Sequence, residues 1–272
     1  MIDPSLTRFE RNSVRLTFAA AWLVILFLVL PIIVIMPLSF TGDTLLSYPI
    51  NDWSLRWYRV LIDQPIWGHV LKNSLIIALA SSALATVLGT LAAVGLTRPM
   101  CPASGTLTAF LLLPMIVPII ITGVASYFFY TKLGLTNSFT GMILAHTILS
   151  TPFVVITVSA TLQGFDGNQR RAAYILGARP LYAFRTVVMP QILPGIVSGA
   201  LFAFVISFDE VIVALFIAGG EQYTLPRQMF SGIRENLDPT IAAVATVMIV
   251  ASLIILALAQ YLASRTKGKI TR

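Results

Sequence analysis

QRRAAYILGARPLYAFRTVVMPQILP, residues 169–194, is the longest polar-interrupted stretch between two strongly apolar segments of this chain. Small residues recur four positions apart in its first half, which predicts a short helix with a small-residue face. Gly177 is suited to end that helix, and Pro180 to open a second one. Pro190 and Pro194 predict that the stretch closes there, because proline kinks or stops a helix. Two short helices with a flat, small-residue surface are typical of a docking site.

The composition predicts a membrane protein. Hydrophobic residues make up 57% of the 272 residues and charged residues 11%, whereas soluble proteins have about 45–50% and 25%. Cys101 is the only cysteine, which excludes an intramolecular disulfide and a cysteine metal cluster. The net charge of +7 would suit a nucleic-acid partner, but its distribution along the chain has another explanation.

Six apolar runs are long enough to cross a membrane, which takes about 20 residues. They cover residues 16–40, 70–96, 107–130, 139–162, 195–217 and 239–263. The predicted fold class is therefore an all-α integral membrane protein with six transmembrane helices. The first run is too long for a signal-peptide core and predicts an uncleaved anchor. Pro114 and Pro118 predict an irregular third span.

The predicted domain organisation follows from these runs. Residues 1–15 form an N-terminal segment, and residues 16–263 form the six-span domain. A loop at 163–194 separates the fourth span from the fifth, and residues 264–272 form a basic tail.

Basic residues are unevenly distributed between the two sides of the membrane. An even number of spans places both termini on one side, and the segments on that side hold twelve basic and three acidic residues. The other side holds six of each. Because cytoplasmic segments carry an excess of Lys and Arg, both termini and the 169–194 stretch are predicted to be cytoplasmic. Topology thus explains the basic excess without a nucleic-acid partner.

Asp209 and Glu210 lie in the sequence SFDE, inside the fifth predicted span. A helix that enters at Gly195 places Asp209 about 21 Å along its axis, where a charge costs about 2.5–3.5 kcal/mol. Adjacent side chains diverge by about 100°, so the two carboxylates are not expected to face one pore. In one interpretation Asp209, Glu210 or Ser207 lines the path of a cationic substrate. In the other, an acid pairs with a basic residue or caps a broken helix.

Other polar features give weaker predictions. His69 and His146 lack companions at ligand spacing, so no metal site is predicted; His69 suits an interface and His146 a local hydrogen bond. The loop 219–230 forms either an outer gate or a plain connection. Motifs for a nucleophile, a metalloprotease or a phosphate loop are absent from the sequence. The chain is therefore predicted to have no catalytic residue and no cofactor, and any ATP would be bound by another chain.

The chain resembles the permease subunits of bacterial type I ABC importers. In that family a cytoplasmic loop reads E-A-A, three residues, Gly, and later Leu-Pro. The matching residues here are Ala172, Ala173, Leu176, Gly177, Ala178 and Met189-Pro190, with Arg171 in place of the usual Glu. The segments WSLRWY (53–58), SFDEVIV (207–213) and TLPRQMFSGIRENLDPTIAA (224–243) are most similar to the polyamine, or spermidine/putrescine, branch.

This resemblance implies a transport function and a set of partners. The loop is expected to form coupling helices that dock on an ATPase through Arg171, Ala172, Ala173, Leu176, Gly177, Ala178 and Pro190. Expected partners are a second, different permease, two ATPase subunits that bind ATP and Mg, and a periplasmic binding protein, all at the bacterial inner membrane. The alternative is a stand-alone, proton-coupled carrier that uses Asp209 and Glu210. Such carriers commonly contain inverted repeats, and the two halves of this sequence show no convincing repeat.

Overall fold

The computed structural model describes residues 7–98, 101–235 and 238–254. The described chain is almost entirely helical, and its one isolated β-bridge joins Thr41 to Trp53. The helices are α1 Arg8–Leu38, α2 Arg56–Asp63, α3 Pro65–Leu96, α4 Ser104–Ile116, α5 Ile119–Lys132, α6 Phe139–Gln163, α7 Gly167–Ile175, α8 Pro180–Ala183, α9 Met189–Asp209, α10 Ile212–Ile217, α11 Leu225–Glu235 and α12 Thr240–Ile254.

The first of two compact units contains the described parts of Met1–Gln64 and Gly232–Leu253. Its long helix α1 exposes its apolar side chains, as a helix does that faces lipid or another chain. After α1 the polar segment forms a loop whose two ends pair with each other: the Gly42 N–H donates to the carbonyl of Asp52 at 2.8 Å. Helix α2 follows this loop and buries Trp57.

The second unit contains the described parts of Pro65–Ser231, and its core forms where α3, α6 and α9 pack together. Small residues allow the close approach. A Cβ atom added to Gly89 on α3 would lie 2.7 Å from Cβ of Val154 on α6, and one added to Gly199 on α9 would lie 3.0 Å from Cα of Val154. Such contacts let helix backbones pack tightly where no water drives them together.

Four helical segments are long and apolar enough to cross a membrane: Asn12–Leu38, Pro65–Leu96, Phe139–Gln163 and Pro180–Asp209. Helices α4 and α5 meet this criterion together but are bent by 100°. The predicted irregularity of this run is confirmed, and its assignment as one span stays a prediction. Helix α12 is apolar but shorter within the described residues, and the rest of the predicted sixth span and the tail lie outside them. The all-helical membrane fold is confirmed, and the count of six spans stays a prediction.

The predicted fifth span, 195–217, is wrong at both ends. Pro190 and Pro194 do not close the preceding stretch, because a wide turn at Phe184–Val188 leads from α8 directly into α9. In this turn the N–H of Met189 donates to the carbonyl of Phe184, five residues back. Such a turn shifts the helical hydrogen-bond pattern and accommodates irregularities that would break an ordinary helix. The segment Pro180–Asp209 therefore forms one candidate span, and it stops before residue 217.

Candidate functional site

Helix α9 ends at Asp209 although no proline follows. The side chain of the next residue, Glu210, explains this end. Glu210 has an extended backbone (φ −71°, ψ 124°). Its carboxylate accepts hydrogen bonds from the N–H groups of Val213 at 2.8 Å and Ala214 at 3.1 Å. These N–H groups belong to the first turn of α10, where they have no partner within the helix. One carboxylate thus supplies the acceptors that begin a new helix.

Glu210 belongs to a group of four buried side chains that we call the buried network: Ser81, His146, Ser207 and Glu210. The Ser81 hydroxyl donates to Ser207 Oγ at 2.8 Å. His146 Nδ1 lies 2.9 Å from Ser207 Oγ and 3.1 Å from the Ser207 carbonyl oxygen. On the other side of the ring, His146 Nε2 lies 3.6 Å from Glu210 Oε2. The network joins α3, α6 and α9 to the helix break.

The structure separates the three candidates for a substrate path. Ser207 and Glu210 are 3% and 6% exposed and lie within the buried network. Asp209 is exposed. The interpretation in which an acid caps a broken helix therefore describes Glu210. A role of these residues in a substrate path stays a prediction.

Sequence reasoning missed the contribution of His146 and Ser81 to this site. The predicted local hydrogen bond of His146 is wrong, because its partner is Ser207, 61 residues further along the chain. The available signal was a single imidazole within an apolar span, since a buried ring nitrogen has to find a polar partner. That signal predicts a partner without identifying it. Clusters of three or more metal-ligating residues do not occur within residues 7–98, 101–235 and 238–254.

A cavity of about 560 Å³ opens beside the break. Its walls come from residues 114–119 at the α4–α5 bend, from Leu149 and Phe153 of α6, and from residues 205, 206 and 209–212. Asp209 and Glu210 are the charged residues in this lining, and the others are apolar. Within the described part of the chain, no group donates a hydrogen bond to the Asp209 carboxylate. An exposed carboxylate on an apolar wall is suited to a cation that carries apolar segments.

Gly177 ends helix α7 as the sequence predicts. Its φ of +83° lies in the left-handed region that favours glycine. The N–H of Gly177 donates to the carbonyl of Tyr174, and that of Ala178 to the carbonyl of Ala173, both at 3.0 Å. This pair of bonds is the Schellman ending of a helix. Pro180 is then the first residue of α8, which confirms the second prediction.

The surface of these short helices differs from the flat, small-residue face that the sequence predicts. Ile175 and Leu176 are 85% and 86% exposed, and Leu181 and Tyr182 are also exposed. We call these four residues the exposed apolar surface. Large apolar side chains that are exposed in this way are suited to contact with another molecule. The assignment of Arg171, Ala172, Ala173, Leu176, Gly177, Ala178 and Pro190 to ATPase coupling stays a prediction.

The predicted loop 219–230 is a loop only in its first part, because residues 225–230 belong to helix α11. This first part is fastened to α3 through its backbone. Asn73 Nδ2 donates to the carbonyl oxygens of Glu221 at 2.7 Å and Tyr223 at 3.0 Å. His69 Nε2 lies 3.1 Å from the Glu221 carbonyl oxygen. The loop is therefore held in one conformation by a helix that precedes it by about 150 residues.

Arg227, within the same segment, contacts residues that precede it. Its guanidinium lies 3.6 Å from the ring centre of Tyr223 and donates to the carbonyl of Ala218. Burial lowers the pKa of this guanidinium from its ordinary value, and the nearby Tyr223 opposes that effect. The guanidinium remains a cation, because arginine does not lose its proton in proteins.

Comparisons with known proteins identify similar sequences across most of the chain. The family described as binding-protein-dependent transport system inner membrane component matches residues 85–268. The spermidine/putrescine transport system permease protein PotC of Haemophilus influenzae is 32% identical over 243 residues, which cover 89% of this chain and 94% of that protein. The putrescine transport system permease protein PotI of Escherichia coli is 33% identical over 248 residues, covering 89% and 88%.

Solved structures show the same fold at low sequence identity. A chain of a bacterial ABC transporter involved in the import of the acidic polysaccharide alginate has a TM-score of 0.74 at 15% identity, covering 95% of this chain and 99% of that one. A chain of the MetNI methionine ABC transporter in an inward-facing conformation has a TM-score of 0.62 at 19% identity, covering 77% and 97%. The helical arrangement is therefore one that occurs in ABC transporters.

Proposed function

Because this chain belongs to the family of binding-protein-dependent transport system inner membrane components, and so is a permease subunit of an ABC importer rather than an enzyme, we propose that it forms half of the transmembrane path for a small organic cation. The observation that carries this proposal is Asp209. Its exposed carboxylate lies on the wall of an apolar cavity, at the point where α9 ends.

The proposed cation is a polyamine or a similar compound. Two similar proteins, PotC and PotI, are named for spermidine/putrescine and putrescine transport. Polyamines carry ammonium groups separated by runs of methylene. An ammonium group would pair with the Asp209 carboxylate, and the methylene groups would contact apolar walls such as those at Leu149 and Phe153. One carboxylate and apolar walls together favour this substrate class over a sugar or an anion.

We place the exposed apolar surface in contact with a separate ATPase subunit. Ile175 and Leu176 are almost fully exposed at the end of α7, and the neighbouring Arg171 and Arg179 are exposed as well. An apolar centre with basic residues beside it suits a groove on a partner protein. The proposed coupling residues of this loop then transmit movement between the ATPase and the spans.

The proposed assembly contains this chain, a second and different permease, two ATPase subunits and a periplasmic binding protein. ATP and Mg are assigned to the ATPase subunits. The proposed topology has six spans with both termini in the cytoplasm, as the distribution of basic residues predicts. ATP binding and release then bias the permease pair between outward- and inward-facing conformations, which is alternating access.

The test is polyamine uptake by the complete importer in liposomes that contain ATP. Asp209→Asn is expected to raise the KM for putrescine or spermidine about tenfold, because it removes a charge-assisted hydrogen bond. The matched control Asp209→Glu keeps the charge and is expected to retain most of the affinity. An Asp209→Asn importer with an unchanged KM for both substrates would contradict the proposed cation site.

The stand-alone carrier receives no support from the family comparison. Its test is uptake by this chain alone in liposomes under a proton gradient. We expect no uptake until the ATPase subunits, the second permease and the binding protein are added together with ATP. Proton-driven uptake by the single chain would contradict the proposal.

A further inference from the structure

His146 is the member of the buried network whose role the proposed transport path does not explain. Its side chain is 0% exposed on α6. Its partners Ser207 and Glu210 lie at the end of α9 and at the break. A polar side chain buried at this level is costly unless its partners are fixed in place. The contacts of the His146 ring therefore depend on the geometry of the break between α9 and α10.

The partners of each ring nitrogen indicate how His146 bonds. Nδ1 lies 3.1 Å from the carbonyl oxygen of Ser207 and 2.9 Å from Ser207 Oγ, so the carbonyl can accept from this nitrogen and the hydroxyl can either accept from it or donate to it. Nε2 faces Glu210 Oε2 at 3.6 Å and has no hydrogen-bond partner within the described residues. Two unprotonated groups would repel each other at this distance, so a proton lies on Nε2 or on the carboxyl group. In either form the two side chains attract each other.

The same Glu210 side chain holds the first turn of α10 through the N–H groups of Val213 and Ala214. A group that fixes the Glu210 carboxyl therefore also fixes where α10 begins. The preceding residue, Asp209, belongs to the last turn of α9, so its direction depends on the same break. His146 is thus connected to Asp209 only indirectly, through Glu210.

We propose that His146 is a positioning residue for transport, which holds Glu210 so that the break between α9 and α10 presents Asp209 to the cavity. This inference rests on the proposed function, because it takes Asp209 as the residue that meets the cation. It assigns different tasks to two adjacent acids: Glu210 sets the geometry and Asp209 meets the solute.

The test measures the accessibility of position 209 in the assembled importer. Cys101→Ser removes the only cysteine of this chain, and Asp209→Cys then adds a single reporter thiol. The rate of its reaction with a charged methanethiosulfonate reagent is followed on this chain after separation from its partners. Val205→Cys, one turn earlier on α9 and 50% exposed, is the matched control position.

Two substitutions of His146 separate its two contacts. The amide nitrogen of Asn takes the place of Nδ1, and that of Gln takes the place of Nε2. His146→Asn keeps a donor toward Ser207 and loses the 3.6 Å contact with Glu210. We therefore expect the reaction rate at position 209 to change about tenfold, the effect of losing one close polar contact at a buried carboxyl group. His146→Gln keeps a donor toward Glu210 and is expected to restore the original rate. The rate at position 205 should stay constant in both variants.

Equal rates at position 209 for His, Asn and Gln would overturn the inference. Equal changes for Asn and Gln would overturn it too, because they would indicate loss of packing rather than loss of one contact. If His146→Asn does not accumulate, Glu210→Gln weakens the same contact from its other side, and an unchanged rate there is the overturning result.

Failure of the proposed function gives a different pattern. An unchanged KM in Asp209→Asn, together with a rate at position 209 that depends on His146, would contradict the cation site and retain the positioning role. A raised KM together with rates that do not depend on His146 would retain the cation site and overturn the positioning role.

Discussion

The helical segment Pro180–Asp209 ends in two different surroundings. Near its start, Leu181 and Tyr182 are 62% and 64% exposed. At its end, Ser207 and Glu210 are buried and bonded within the same unit. Exposed apolar side chains need another molecule to cover them, whereas buried polar groups that bond within their own unit need none. We therefore expect substitutions at the end to change the stability of this unit, and substitutions near the start to change its cooperation with a partner.

Of the substitutions at the two ends of this segment, Glu210→Ala is expected to cause the largest loss of stability. This change removes a carboxylate that accepts two backbone hydrogen bonds and leaves His146 Nε2 without its neighbour. Hydrogen bonds to charged groups contribute about 1.5–3 kcal/mol each, so the free energy of unfolding should fall by about 3 kcal/mol. Thermal unfolding of the purified chain in detergent measures the effect. The control Glu221→Ala alters an exposed carboxylate and should change the value by less than about 0.5 kcal/mol.

A smaller loss of stability is expected for Gly177→Asp, in the turn just before the segment Pro180–Asp209. The φ of +83° makes a side chain there cost about 1 kcal/mol, but an added Cβ meets no neighbouring atom within 4 Å. The fold should persist. The new charge in the proposed coupling loop should lower the uptake obtained per ATP hydrolysed. Both rates are measured in the reconstituted importer.

Gly177→Asn is the matched control for this charge. Asn has nearly the same shape as Asp and tolerates positive φ, so it should retain more uptake per ATP hydrolysed. Normal expression with unchanged uptake in Gly177→Asp would count against a coupling role for this turn.

The smallest effect on stability is expected for Leu176→Ser. Because this side chain is 86% exposed, its replacement should change the free energy of unfolding by less than about 0.5 kcal/mol. ATP-driven uptake should nevertheless fall, because the exposed apolar surface loses its most exposed side chain. The buried counterpart Ile77→Ser, at a side chain that is 0% exposed, should cost about 2–5 kcal/mol. If Leu176→Ser lowered the stability as much as Ile77→Ser, the exposed start and the buried end of the segment would no longer differ in their effect on stability.

The features that could be predicted from the sequence have causes within a few residues. Gly177 and Pro180 determine a helix end and a helix start through their own backbone preferences. The spans around α3 and α6 follow from long apolar runs, and their observed bounds differ from the predicted ones by five residues or fewer. Local chemistry was sufficient in each case.

The break at Glu210 combines a local cause with distant partners. Adjacent carboxylates in an apolar run left two interpretations open, because the sequence does not show which acid turns back to cap Val213 and Ala214. The neighbour of the capping carboxylate, His146, is on another helix. Conversely, Pro190 and Pro194 predict an end that the wide turn at Phe184–Val188 avoids. Side-chain size also misled the prediction of a flat docking face, because the alanines of the motif do not show that Ile175 and Leu176 point outward.

The cap that Glu210 places on α10 has an electrostatic consequence for the cavity. The N-terminus of a helix carries a partial positive charge and the C-terminus a partial negative one, about half an elementary charge each. By accepting the N–H groups of Val213 and Ala214, the Glu210 carboxylate neutralises the positive pole of α10. Asp209 instead adds its charge to the negative pole of α9. The potential at this wall is therefore negative, and it would draw a cation toward the break before any contact forms.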